Sequence, residues 1–190
     1  MDTLTVNCNV LNLTDEQFFQ LCQANRDLRF ERNANGEMVI MSPTGGETSN
    51  RNASITAQLW LWNQQYQLGQ SFDSSGGFRL PNGADRSPDA AWIANQKWER
   101  LTTAEKQRFL PFAPDFVIEL LSPTDSLTKT QLKMQEYLDN GTQLGWLINR
   151  KARQVEIYRQ GRKVEVLDNP ESLSGESLLH EFSLVLAAIW

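Results

Sequence analysis

The sequence predicts an α/β (α+β) domain: a mixed central sheet flanked by helices, with β-hairpins near both ends. Three observations carry this. Hairpin patterns stand at residues 28–41 and 154–167, strands alternate with helices between them, and Phe116–Leu121 is an apolar run broken only by Glu119. The length of 190 residues fits one domain, 1–190, with residues 1–13 as an N-terminal arm.

The elements follow in order. Thr14-Asp15-Glu16-Gln17 opens a short helix with a capping-box pattern. Leu28–Glu31 and Met38–Met41 flank Asn35-Gly36, a pair that favours a type I′ turn. Thr44 and Glu47 read as a second capping box, opening a long helix. Ile55, Leu59, Trp62 and Tyr66 mark its buried face and Gly69 its end. Residues 72–80 read as one strand with a glycine-marked bulge or turn, and Ala90–Ile93 as a short apolar strand. Residues 95–109 read as a helix with Thr102–Glu105 as a start signal, before Pro111 and Pro114 impose extended chain. After the 116–121 strand come a helix over Ser126–Asn140, a strand at Leu144–Asn149, and a hairpin over Gln160-Gly161. The apolar tail Phe182–Ile189 closes the core.

Composition narrows the chemistry. With 40% hydrophobic and 22% charged residues the chain is ordinary globular protein. No segment reaches the roughly 18 apolar residues of a membrane span, and the N-terminus lacks a signal-peptide pattern. A cytoplasmic location is expected. Cys8 and Cys22 are too few for a disulfide framework and read as free thiols. His180 is the single histidine, which removes most serine and cysteine triads and argues against a multi-imidazole zinc site. The net charge of −5 counts against nucleic-acid binding, although a metal site needs carboxylates and bound ions offset them. Basic residues still group locally, as in Arg150-Lys151-Ala152-Arg153 with Arg159, Arg162 and Lys163.

Two carboxylates stand out. Glu119 lies inside an apolar strand, where a charge is costly unless it is paired or bound to metal. Asp89, in Ser87-Pro88-Asp89, enters the strand that follows it. If the two strands pair, the acids converge on one hard cation such as Mg²⁺. Taken singly, Glu119 could be an ion-pair partner and Asp89 a turn residue. Lys133, on the next helix, is a solvated lysine or a cation reaching the cleft to serve the attacking water and the developing phosphate charge. Glu47 either completes its capping box or adds a third carboxylate. Glu31 is a weaker candidate of the same kind. Trp60 and Trp62 read as core residues rather than base-stacking platforms.

Met41-Ser42-Pro43-Thr44-Gly45-Gly46-Glu47, Arg86-Ser87-Pro88-Asp89-Ala90, Pro114–Pro123 with Glu119 at its centre, Lys133-Met134-Gln135-Glu136-Tyr137 and Gly145–Asn149 stand in that order. Over roughly residues 14–189 this resembles a large bacterial family of predicted restriction-endonuclease-like proteins, a branch of the PD-(D/E)xK nuclease superfamily. The resemblance implies a four-stranded mixed central sheet with metal at its edge. It matches Asp89 to the superfamily's metal-binding aspartate and Glu119 to its second acid. Members often carry a histidine where Thr48 stands. The superfamily lysine, usually two residues after the second acid, is replaced by Leu121, and the resemblance implies that Lys133 takes its place.

The expected function is therefore metal-dependent hydrolysis of DNA phosphodiesters. Asp89 and Glu119 would hold Mg²⁺ or Mn²⁺, a strand carbonyl near Leu120 would complete the coordination, and Lys133 and Glu47 would complete the catalytic set. A homodimer is expected by analogy with nucleases that cut both strands. One rival is a non-catalytic nucleic-acid or protein binding module on the same fold. Another is a metal-free glycosidase with two opposed acids.

Overall fold

The computed structural model describes residues 3–190. Thr3–Val6 form β1, which pairs antiparallel with residues 38–41, so part of the expected arm belongs to a sheet. Helix α1 (Asp15–Ala24) starts at the capping box: the Thr14 hydroxyl accepts the Gln17 N–H, and the Gln17 side chain accepts the Thr14 N–H. Strands β2 (Arg29–Arg32) and β3 (Met38–Met41) form the expected hairpin. Its turn is not type I′, because Gly36 takes a positive φ of 84° and Asn35 does not.

Helix α2 (Gly46–Tyr66) begins one residue later than Thr44 predicts. Gly45 is the N-cap, no side chain caps it, and the expected capping box is absent. Ile55, Leu59 and Trp62 are buried as the period requires, whereas Trp60 is 48% exposed, against expectation. Gln67, in the left-handed region, ends the helix instead of Gly69. Gly69 opens β4 (Gly69–Asp73). A Cβ there would collide with the Ile93 carbonyl oxygen and lie 2.5 Å from the Trp92 ring. Gly69→Ala is expected to destabilise by about 3 kcal/mol, because the clashing oxygen is backbone and cannot swing away. Thermal unfolding should show a drop in Tm of roughly 6–12 °C; an unchanged Tm would refute the clash.

The segment 72–80 is not one strand. It splits between β4 and β5 (Phe78–Arg79), which lie in different sheets, and β6 (Asp85–Arg86) and β7 (Ala90–Ala94) follow. The expected helix over 95–109 is two short ones, α3 (Asn95–Glu99) and α4 (Thr103–Lys106). The second begins at the Thr102–Glu105 capping box. Strand β8 (Phe116–Leu120), helix α5 (Leu127–Asp139), β9 (Leu144–Asn149), β10 (Gln154–Arg159) and β11 (Glu165–Asp168) match the sequence expectation closely. Strands β12 (Ser172–Ser174) and β13 (Ser183–Val185) form a small separate pair.

The central sheet has six strands, in the order β11-β10-β9-β8-β7-β4, two more than the four the resemblance implies. Only β8 and β9 are parallel, and α5 makes the crossover that such a pair requires. A five-stranded sheet, β1-β3-β2-β6-β5, stands beside it. Strand residues alternate between two cores. Phe116, Ile118, Trp146 and Ile148 pack with Ile55, Leu59 and Trp62 of α2 and with Phe182, Leu184, Leu186 and Ile189 of the tail. Val117 and Leu147 pack with Met134, Tyr137 and Leu138 of α5. By this alternation Glu119 falls on the α5 side of the sheet. No described helix is long and apolar enough to cross a membrane.

Candidate active site

Strand register brings the two acids together. β7 and β8 pair with Ala90 opposite Ile118, and one more step along the same antiparallel register sets Asp89 opposite Glu119. Residues opposed in this way direct their side chains to the same face. The segment between β6 and β7 is anchored upstream. Asp85 receives Arg32 Nε at 2.8 Å and Arg79 Nη2 at 2.6 Å, which ties β6 to β2 and fixes the approach of Ser87-Pro88-Asp89. Both Asp89 and Glu119 line a cleft of about 660 Å³ between the five-stranded sheet, β8 and α5.

Each oxygen of Asp89 has a donor. The Leu120 N–H donates to Oδ2 at 2.9 Å, and the Asn52 amide donates to Oδ1 at 2.8 Å. Leu120 reaches Asp89 through its backbone N–H, a positioning contact distinct from the metal-coordinating carbonyl expected at that position. Glu119 Oε1 accepts from the Tyr137 hydroxyl at 3.1 Å and lies 2.8 Å from Lys133 Nζ. Lys133 is no solvated lysine: its ammonium also donates to Glu31 Oε1 at 2.8 Å. Glu31, in turn, accepts the Ser87 N–H at 3.0 Å and meets Arg86 at 3.4 Å, and Arg86 Nε donates to Glu136 at 2.6 Å. Asp89, Glu119 and Lys133 thus sit together, with Glu31 as a buried partner of greater weight than the sequence gives it.

Glu47 stands apart from them. It does not line the cleft; it is 78% exposed at its side chain and pairs with Arg51 and Arg150, each at 3.3 Å. The sequence reading gave Asn52, Tyr137 and Arg86 no role in the site, although Arg86 and Tyr137 stand in the motifs that carry the resemblance. Asn52 had a signal, since it falls on the buried stripe of α2 with Ile55 and Leu59, and a polar residue there needs a partner. Tyr137 was visible only as a core residue. His180 is exposed, and Cys8 and Cys22 are free thiols. Burial pushes the Cys22 thiol up to about 11, which makes it a poor nucleophile.

Burial dominates the electrostatics. It pushes the Glu119 carboxyl up to about 7; the nearby Asp89 and Glu31 push the same way, and the Lys133 ammonium only partly opposes them. Burial likewise raises Asp89, against the pull of the Leu120 N–H. Burial would also lower Lys133, but Glu119 and Glu31 overcome it and hold the ammonium charged above the ordinary lysine range. Burial would raise Glu31 too; there Lys133 and Arg86 win and hold it low.

The raised Glu119 carboxyl makes its share of the metal-free stability fall as pH rises above the ordinary carboxyl range. The folded protein retains the Glu119 proton up to about 7, whereas the unfolded carboxyl loses it near 4.5. The unfolded state therefore binds fewer protons between these values, and the Glu119 contribution, roughly 3 kcal/mol, disappears across that window. Urea unfolding in chelator should show this decline, and Glu119→Gln should flatten it. Stability that rises from pH 4.5 to 7 would contradict the assignment.

The donor set fits a hard divalent cation. Two adjacent buried carboxylates repel each other and resist ionising, a cost that a cation between them relieves. Beside Asp89, the buried Asn52 Oδ1 has no hydrogen-bond partner among the described residues. No three acidic, histidine or cysteine side chains among the described residues form a metal-binding group. Mg²⁺ needs no such cage, because it is held by one or two carboxylates and keeps several waters.

A family model described as "Putative restriction endonuclease" (Uma2) matches residues 15–187. The chain belongs to the Uma2 family. Its fold is also that of a crystal structure described as "a putative nuclease belonging to DUF820" from Anabaena variabilis. The TM-score is 0.65 at 24% identity, over 79% of this chain and 82% of the other. Compared with curated proteins, the sequence has no significant match. The mixed α+β fold expected from sequence is thus shared with that crystal structure, whose low identity speaks to fold alone.

Proposed function

We propose that this Uma2 protein is a metal-dependent endonuclease that hydrolyses DNA phosphodiesters. The observation that carries the reading is the placement of Asp89 beside Glu119 in one open cleft, with the Lys133 ammonium fixed against Glu119. Family membership supports the class of reaction. Metal dependence and the choice of DNA rest on the donor set and on analogy.

Asp89, Glu119 and the Leu120 backbone would hold Mg²⁺ or Mn²⁺. When bound, the ion supplies an acidified water and offsets the substrate's charge. Asn52 and the Leu120 N–H keep the Asp89 carboxylate in place. Tyr137 orients Glu119 from the α5 side. Lys133 stays protonated between two glutamates, which suits it to stabilise charge developing on phosphate and unsuits it as a general base. Glu31 and Arg86 brace the lysine. Glu47 has no place in this set.

Purified protein incubated with supercoiled plasmid tests the reading. Nicking or linearisation with Mg²⁺ or Mn²⁺ that stops in chelator is the expected result. No cleavage of DNA, together with no metal binding by calorimetry, would overturn it in favour of the binding-module alternative.

A further inference from the structure

The basic run Arg150-Lys151-Ala152-Arg153 has no role in the proposed chemistry, yet its position is specific. It forms the turn between β9 and β10. Two residues before it, Ile148 lies beside Leu120 in the parallel register, and its carbonyl accepts the Leu121 N–H at 2.9 Å. On the facing helix, Arg51 immediately precedes Asn52, the residue that holds Asp89. Arg51 and Arg150 converge on Glu47 from these two elements.

The pairing is poorly matched. Both arginine side chains are largely buried, 18% and 16% exposed, while the Glu47 side chain is 78% exposed. Both approach the same oxygen, Oε2, and both at 3.3 Å. Charge-assisted N–H···O bonds are normally about 2.7–2.9 Å, and arginine prefers two-pronged contact. The Arg150 Nε is buried without a hydrogen-bond partner among the described residues. Arg51 is held ready by its own Nε, which donates to the Ile189 carbonyl at 3.0 Å. Two largely buried cations therefore share one oxygen of an exposed carboxylate, with the exposed Lys151 and Arg153 next to Arg150 in the chain.

We infer that Arg51 and Arg150 form a docking site for a backbone phosphate of DNA next to the cleavage centre, and that Glu47 is the counter-ion the phosphate displaces. A phosphodiester offers two charged oxygens where Glu47 now offers one, which matches paired guanidiniums better. The site also gives an acidic protein a local basic lip on the α2 side of its acidic centre. This rests on the nuclease reading for its ligand, and binding can be measured apart from cutting.

The test uses a fluorescent DNA duplex and anisotropy across a KCl series, in a Glu119→Gln background that blocks cleavage. Arg51→Gln with Arg150→Gln should weaken binding at least about tenfold and reduce the salt slope by roughly 0.9, the loss of one phosphate contact. Glu47→Gln should tighten binding several-fold, and more than the charge-matched change at the exposed, distant Glu99 (Glu99→Gln). If Arg150→Gln does not fold, the Glu47 and Glu99 comparison still decides: equal effects overturn the inference. Unaltered affinity and slope in the arginine variants, while the parent chain still cuts plasmid, overturns the docking site and leaves the nuclease standing. A parent chain that neither binds nor cuts DNA overturns both.

Discussion

Asp89→Asn should lower metal-dependent cleavage by roughly three orders of magnitude or more while leaving the fold intact. The loss follows from removing one of two charges that face a cation. Persistence of the fold follows from hydrogen bonding. The new amide oxygen can still accept the Leu120 N–H, and its NH₂ group would then meet Asn52. Asn52 can rotate its amide and offer Oδ1, now without a partner, to that donor. Deleting one of two repelling buried acids also removes a cost, so Tm should stay level or rise. Glu119→Gln should show the same split, since its amide oxygen can accept from Tyr137 and Lys133. The measurements are plasmid cleavage rates and thermal unfolding of the same preparations. Full activity in Asp89→Asn would remove the central claim.

Lys133→Met should cost both stability and activity. Lys133 is the shared cation of Glu31 and Glu119, each within 2.8 Å and each buried. Without it Glu119 has no cation among its described ion pairs, while Glu31 retains Arg86 at 3.4 Å. Breaking a buried pair by removing one partner typically costs about 3–5 kcal/mol; Glu119, already pushed up to about 7, meets the loss of the ammonium by keeping its proton, which sets the cost toward the lower end near neutral pH. At this chain length that corresponds to a fall in Tm of roughly 6–20 °C. Adding Glu119→Gln should recover part of the loss above neutral pH, where the orphaned carboxyl would otherwise have to ionise. Activity should not return, because the carboxylate and the ammonium are both missing. A lysine variant as stable as the parent would show that the triangle contributes little. Recovery of cleavage in the double variant would argue against both residues as parts of the site.

Asp89 and Glu119 were legible because each breaks a local expectation: an acid inside an apolar strand, and an acid after proline at a strand's entrance. Lys133 was legible only with the family pattern, since a lysine on an amphipathic helix has no local oddity. Its two glutamate partners come from β2 and β8, and neither lies near it in sequence. Glu47 shows the opposite case. Its spacing from Thr44 suggested a cap, but the chain enters the helix at Gly45, and the side chain turns to two arginines from α2 and the β9–β10 turn.

By itself the sequence determined what interactions within a few residues decide. The caps at Thr14 and Thr102, strands β7 to β10, helix α5 and the apolar closing tail all lie where the pattern puts them, because capping and periodicity act over three or four positions. Tertiary structure alone decided what depends on partners far along the chain. It assigned residues 72–80 to two sheets, recruited Thr3–Val6 as a strand, left Trp60 in solvent, and brought Glu31 and Asn52 to the acidic pair. The physical reason is that a strand's neighbour and a buried charge's partner are fixed by register and burial, which no local pattern encodes.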